Sequence, residues 1–128
     1  MGDTSRISND DSILESVKKM LGPGPDQTEF DSELLMNING VFFELQQLGI
    51  GPEEGFSVYD DSEKWIDFTT DENVLNALKP YMYLKVKLIF DPPTSSSVLA
   101  SFENMINRFE WRLNVDSELK SLNGEEVA

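Results

Sequence analysis

Side chains able to do nucleophilic, acid–base or metal chemistry are scarce in this chain. None of its 128 residues is a histidine or a cysteine, so an imidazole base, a thiolate nucleophile and a zinc site built on nitrogen and sulfur are excluded. Only carboxylate, serine or lysine chemistry remains. The densest acidic group, Asp60-Asp61 with Glu63, lacks the alternating ligands, central glycine and closing glutamate of a calcium loop. No phosphate-cradling glycine loop stands on a strand-to-helix turn. The reading is a non-enzyme, with no catalytic residue, no metal and no cofactor.

Charge points the same way. Twenty-four acidic side chains face ten basic ones, a formal net charge of −14, whereas direct binding of nucleic acid through its phosphates calls for a basic stripe. Eight carboxylates are placed on helices (Glu15, Asp31, Glu33, Glu44, Asp71, Glu72, Glu103 and Glu110), and the other sixteen fall in tails and connections. Such acidity either keeps a surface soluble or lines a surface that must not hold DNA. A chain without cysteine suits a reducing compartment. The opening MGDTSRISNDDS has no apolar h-region, and no apolar run approaches the roughly 18 residues of a membrane span. The expectation is a soluble protein made and kept inside a cell, with no membrane partner.

The elements that would carry these residues are helical. The length and 39 % hydrophobic content suit one small core. A first helix is expected from Asp11 or Ser12 to Leu21, with Ser12 and Glu15 as a capping box and Gly22-Pro23-Gly24-Pro25 ending it. A second runs from Asp31 to Leu48 with Leu34, Ile38, Val41, Leu45 and Leu48 as its stripe, widened by Leu35 and Phe42. A third, Asp71 to Phe90, is apolar almost all round and should bend or split at Pro80. Asp91-Pro92-Pro93-Thr94 stops it. A fourth restarts at Ser97 with Leu99, Phe102, Ile106, Phe109 and Leu113 in one stripe. The fold class is therefore all-α: a bundle of about four helices, with an irregular aromatic-rich loop or short hairpin between the second and third. The helical domain spans 12–115, after a flexible polar segment at 1–11 and before an acidic tail at 116–128.

Several side chains are left over once the core is assigned. Met36 and Phe43 lie off the apolar face of the second helix and either pack at its rim or touch another molecule. Phe56, Tyr59, Trp65 and Phe68 in the loop form a satellite cluster or a sticky surface. Lys79, Lys85 and Lys87 gather cationic charge on the third helix. On the fourth, Trp111 stands among Arg108 and Arg112, the residue types enriched at the centres of interfaces.

The string LNALKPYMYLKVKLIFDPPTSSSVLASFENMINRFEWRLNV, with SILESVKKMLG, INGVFFELQQLGIGPEEGF and KWIDF before it, resembles the small head-tail connector (adaptor ring) proteins of long-tailed phages. The likeness covers roughly residues 12 to 115 and lies in the order of the motifs. It implies a structural virion protein that forms a ring of about twelve copies under the portal, joins head to tail and continues the DNA channel. The implied partners are copies of itself, the portal protein and the next connector or tail-side protein, with DNA passing unbound. Assembly would take place in the host cytoplasm. On that reading the subunit or partner interfaces draw on Phe56, Tyr59, Trp65, Phe68, Lys79, Lys85, Lys87, Arg108, Trp111 and Arg112. Asp60, Asp61, Glu63, Asp116, Glu118, Glu125 and Glu126 would face the channel. The polar start and the acidic C-terminal extension depart from the family pattern. The rival reading is a small acidic DNA mimic that inhibits a host DNA-binding protein.

Overall fold

The computed structural model describes residues 7–22 and 27–127, with side chains described throughout except at 116, 117 and 119–127. Its elements are α1 (Ile13–Leu21), α2 (Asp31–Gln47), α3 (Trp65–Phe68), α4 (Glu72–Phe90) and α5 (Ser96–Val127). The class is all-α, with no strand among the described residues. Local chemistry accounts for most of the ends. Ser12 Oγ accepts the Glu15 amide at 3.2 Å to open α1, and Gly22 closes it at φ 107°, a backbone state that favours glycine. Asp71 Oδ1 accepts the amides of Asn73 and Val74 to open α4.

The core is organised around α4, which packs against α1, α2 and α5. Nine of its nineteen residues are buried, from Val74 to Val86. Leu34, Ile38, Val41, Phe42 and Leu45 of α2 meet it, as do Ile106 and Leu113 of α5 with Phe102 and Phe109 packed alongside. Polar atoms at this boundary find partners. Tyr81, fully buried, donates to Glu110 Oε2 at 3.0 Å, and Lys85 donates to Glu44 Oε2 at 2.7 Å while lying 5.7 Å from the Tyr81 ring centre.

Four expectations change. The bundle has five helices, because KWIDF forms the one-turn α3 and no hairpin appears; a single bridge, Ser12 with Lys64, stands in its place. α4 is not split at Pro80, whose missing N–H costs one ladder bond that burial of the surrounding turns outweighs. α5 opens at Ser96 with Ser95 before it, rather than at Ser97. It also shows no end at 115: its 32 residues continue to Val127, roughly 48 Å at 1.5 Å per residue.

The polar start is also more ordered than expected. Ile7 is buried, and residues 9–11 lie along α3, with Ile66 N donating to Asn9 O at 3.0 Å and Trp65 N to Asp11 O at 3.4 Å. Trp65 itself is fully buried, its Nε1 donating to Ser16 Oγ at 3.0 Å. It ties α3, α1 and the opening segment together. Trp65→Ala should therefore cost the folded protein about 3–5 kcal/mol, read as a lower urea midpoint at unchanged m-value.

Tyr81 supplies a pH test. Burial first, then the facing Glu110 carboxylate, pushes its phenol well above the ordinary value of 10.0. A phenol harder to ionise when folded adds stability below its unfolded pKa and loses it as pH rises beyond that value. Above about pH 10 the wild type should lose stability relative to Tyr81→Phe by up to about 1.4 kcal/mol per pH unit. Parallel denaturation curves for the two proteins between pH 9 and 11.5 check the divergence.

Candidate interaction surface

The aromatic-rich connection between α2 and α3 is folded onto α2. Gly49, Gly51 and Gly55 adopt positive φ; at Gly51 a side chain would run into the Phe68 ring. Phe42, Phe56 and Phe68 form a three-ring cluster with centroids 4.9–5.4 Å apart, and Phe68 is buried. Asn39 then clamps the far arm: Val58 N donates to its Oδ1 at 2.7 Å and its Nδ2 donates to Val58 O at 2.9 Å. Tyr59 follows that clamp and stands 77 % exposed. Trp65 and Phe68 are part of the main core and Phe56 packs against it, so of the four aromatics Tyr59 alone is exposed. Trp65 and Phe68 are withdrawn as surface candidates because the monomer already uses them.

Of the lysine line, Lys79 is buried and Lys85 and Lys87 are partly exposed. Lys79 is 5 % exposed and donates to Ile7 O at 3.0 Å and Asn9 Oδ1 at 2.6 Å. Desolvation holds its ammonium below the ordinary lysine value, with Asp11 opposing the shift. Lys85 pairs with Glu44 at 2.7 Å, and Lys87 with Asp91 at 2.7 Å one turn away. All three ammonium groups serve contacts within the chain.

The α5 face differs. Trp111 is 68 % exposed, and Met105, Arg108 and Arg112 are exposed beside it along one apolar groove that Phe109 also lines. Neither arginine makes an ion pair among the described residues. In a chain with 24 carboxylates, two unpaired guanidinium groups around a bare indole have the composition of an interface centre.

A second face lies on α2. Met36 is 75 % and Phe43 59 % exposed, which decides against rim packing for both. Gly40 shares their face, and a Cβ built there meets nothing within 4 Å. Glycine inside a helix costs about 1 kcal/mol relative to alanine, and its φ is not positive here. Nothing among the described residues requires it. Periodicity singled out Met36 and Phe43; the signal passed over was the glycine between them.

The acids are distributed more evenly than expected. Twelve sit on helical residues, since Asp67, Asp116, Glu118, Glu125 and Glu126 join Glu15, Asp31, Glu33, Glu44, Glu72, Glu103 and Glu110 there, while Asp71 is a cap. Asp60 and Asp61 are exposed, and hydrogen bonds from the Ser62 hydroxyl and amide hold the Asp60 carboxyl below its ordinary value. Glu63 is half-buried and accepts the amides of Tyr59 and Asp60. Glu118 is exposed, while the side chains of Asp116, Glu125 and Glu126 lie outside the described ones. No group of three acids could hold a metal ion among the described residues. Ser16 and Lys19 do have the Ser-x-x-Lys spacing of some nucleophiles, and so do Ser117 and Lys120. Ser16, however, is buried, its hydroxyl donating to Ser12 O and accepting from Trp65. Among the described residues, no helix is long and apolar enough to cross a membrane.

An all-helical body whose leftover side chains are large, exposed and on outward faces is an interaction module. The model of the phage connector protein family matches residues 13–120, and the chain belongs to that family. It is a structural connector of the phage particle. Comparison with curated proteins and with solved structures gave no match.

Trp111→Ala should leave the melting curve of the isolated protein nearly unchanged, within about 0.5 kcal/mol, as expected for an exposed position. A loss of about 3 kcal/mol or more would return Trp111 to the core.

Proposed function

We propose that the protein assembles with copies of itself into a closed ring of about twelve subunits, seated under the portal, where it joins head to tail and continues the DNA channel. Its partners in the virion are then the portal protein and the next connector or tail-side protein, and assembly takes place in the host cytoplasm. The observation that carries this reading is the family match across residues 13–120. The exposed apolar and cationic faces support it, since a closed ring needs two different patches per subunit. The domain plan that goes with it is a helical body at 12–115 onto which residues 7–11 fold, with the turns of α5 beyond it serving partners.

Charge fits a conduit. Twelve copies at −14 each place a field on the order of −170 charges around the ring, which repels phosphate and lets DNA slide. Asp60, Asp61 and Glu63, with Asp116, Glu118, Glu125 and Glu126 on the last turns of α5, are the acids proposed to face the lumen. A DNA-mimic inhibitor draws no support from the family.

Light scattering tests the assembly. The isolated protein should be monomeric or weakly associated at micromolar concentration and form a ring of defined mass at high concentration or on added portal protein. A tight dimer that persists at nanomolar concentration and ignores the portal would contradict the ring.

A further inference from the structure

The two uncovered faces are complementary in shape and in charge. On α2, Met36 and Phe43 flank Gly40 like the walls of a shallow saddle, with open space above the missing Cβ. Beside it runs a groove lined by Asn39, Phe43, Gln46, Glu54, Phe56 and Tyr59. Glu53 and Glu54 are exposed on the loop at this groove, and Asp60 and Asp61 are exposed in the neighbouring hollow that shares Tyr59. On α5, a flat indole stands between Arg108 and Arg112.

We propose that the α2 saddle of one copy receives the α5 face of a second copy. Trp111 lies over Gly40 between Met36 and Phe43, while Arg108 and Arg112 reach the Glu53, Glu54, Asp60 and Asp61 rim. This deepens the ring reading and rests on it. Three observations single out a second copy as the occupant. Two chains of net charge −14 repel each other almost everywhere, so an exposed cationic patch is where they can attract. The ammonium groups of Lys79, Lys85 and Lys87 are committed inside the chain; Lys19 and Lys64 are exposed singly, whereas Arg108 and Arg112 flank an exposed indole in one groove, so among the described residues they are the cations grouped with an apolar anchor. The receiving face is also different from the inserting one, and a head-to-tail contact between unlike patches is what closes a ring. Gly40 then has a reason: a side chain there would hold the indole off the helix.

Gly40→Leu and Gly40→Ala separate this role from folding. Both should melt at or above the wild-type temperature, because the site is open in the monomer and either residue favours helix more than glycine. Gly40→Leu should weaken self-association by roughly 30-fold or more, an effect of hot-spot size. The absence of native cysteine allows a second measurement: Gln47→Cys/Asn107→Cys, treated with a short bis-maleimide, should give a covalent ladder of multimers. Each single variant should stop at dimers or fewer. If wild type, Gly40→Leu and Arg108→Glu/Arg112→Glu all assemble alike and no ladder forms, this contact is wrong and the ring stands. If those variants assemble normally but lose only portal binding, the faces serve another protein and the contact is equally wrong. Failure of the wild type to assemble under any condition, portal included, sinks the ring reading and the contact with it.

Discussion

What shapes this protein is the need to cover the broad apolar side of α4. A helix with Val74, Leu75, Leu78, Tyr81, Met82, Leu84 and Val86 buried leaves water only a narrow polar side, at Glu72, Asn73 and Asn76. One neighbour cannot enclose it, so α1, α2 and α5 all pack against it. The opening segment completes the cover, where the buried Lys79 ammonium reaches Ile7 O and Asn9 Oδ1. The polar groups that α4 does carry are drawn into these contacts. Tyr81 is tied to Glu110 on α5, and Lys85 to Glu44 on α2.

That arrangement decides what is left for other molecules. Each helix around α4 turns its apolar stripe inward, and its outward side is mostly polar, with Val98 exposed near the start of α5 and two larger apolar exceptions. On α2 the exceptions are Met36 and Phe43 around Gly40; on α5 they are Met105 and Trp111 around Arg108 and Arg112. Isolated apolar residues on a surface are ordinary. A helix-interior glycine with open space where its Cβ would be, and two exposed arginines with no ion pair among the described residues of a strongly acidic chain, are not. Surfaces of this kind suit a connector, whose work is to hold neighbouring proteins.

The helices were legible in the sequence because their signals are local. Ser12, Gly22 and Asp71 cap as their types predict, and the stripe packs inward from Phe102 to Leu113. What could not be read were the contacts between residues far apart in the chain. Nothing near Lys79 shows that its ammonium will be capped by residues 7 and 9, or that Trp65 will meet Ser16 across 49 positions. Charge placed Lys79 on the surface, and aromaticity left Trp65 open between a cluster and a surface; burial with a satisfied partner puts both in the core. Pro80 does not split α4 for the same reason, since the break in the ladder is local and the packing that bridges it is not. Of the expected interface residues, Tyr59, Arg108, Trp111 and Arg112 stay exposed and without an ion pair among the described residues.

Hydrogen exchange, measured on the free protein and again on the protein assembled on its portal, tests the division between inner and outer faces most directly. The amides of residues 74–86 on α4 should be among the slowest in both states, because the core is complete in the monomer. Residues 36–43 and 105–112 should slow only on assembly. Rapid exchange along α4 in the free protein, with protection appearing there on assembly, would show that the monomer does not form this core alone and would contradict the account.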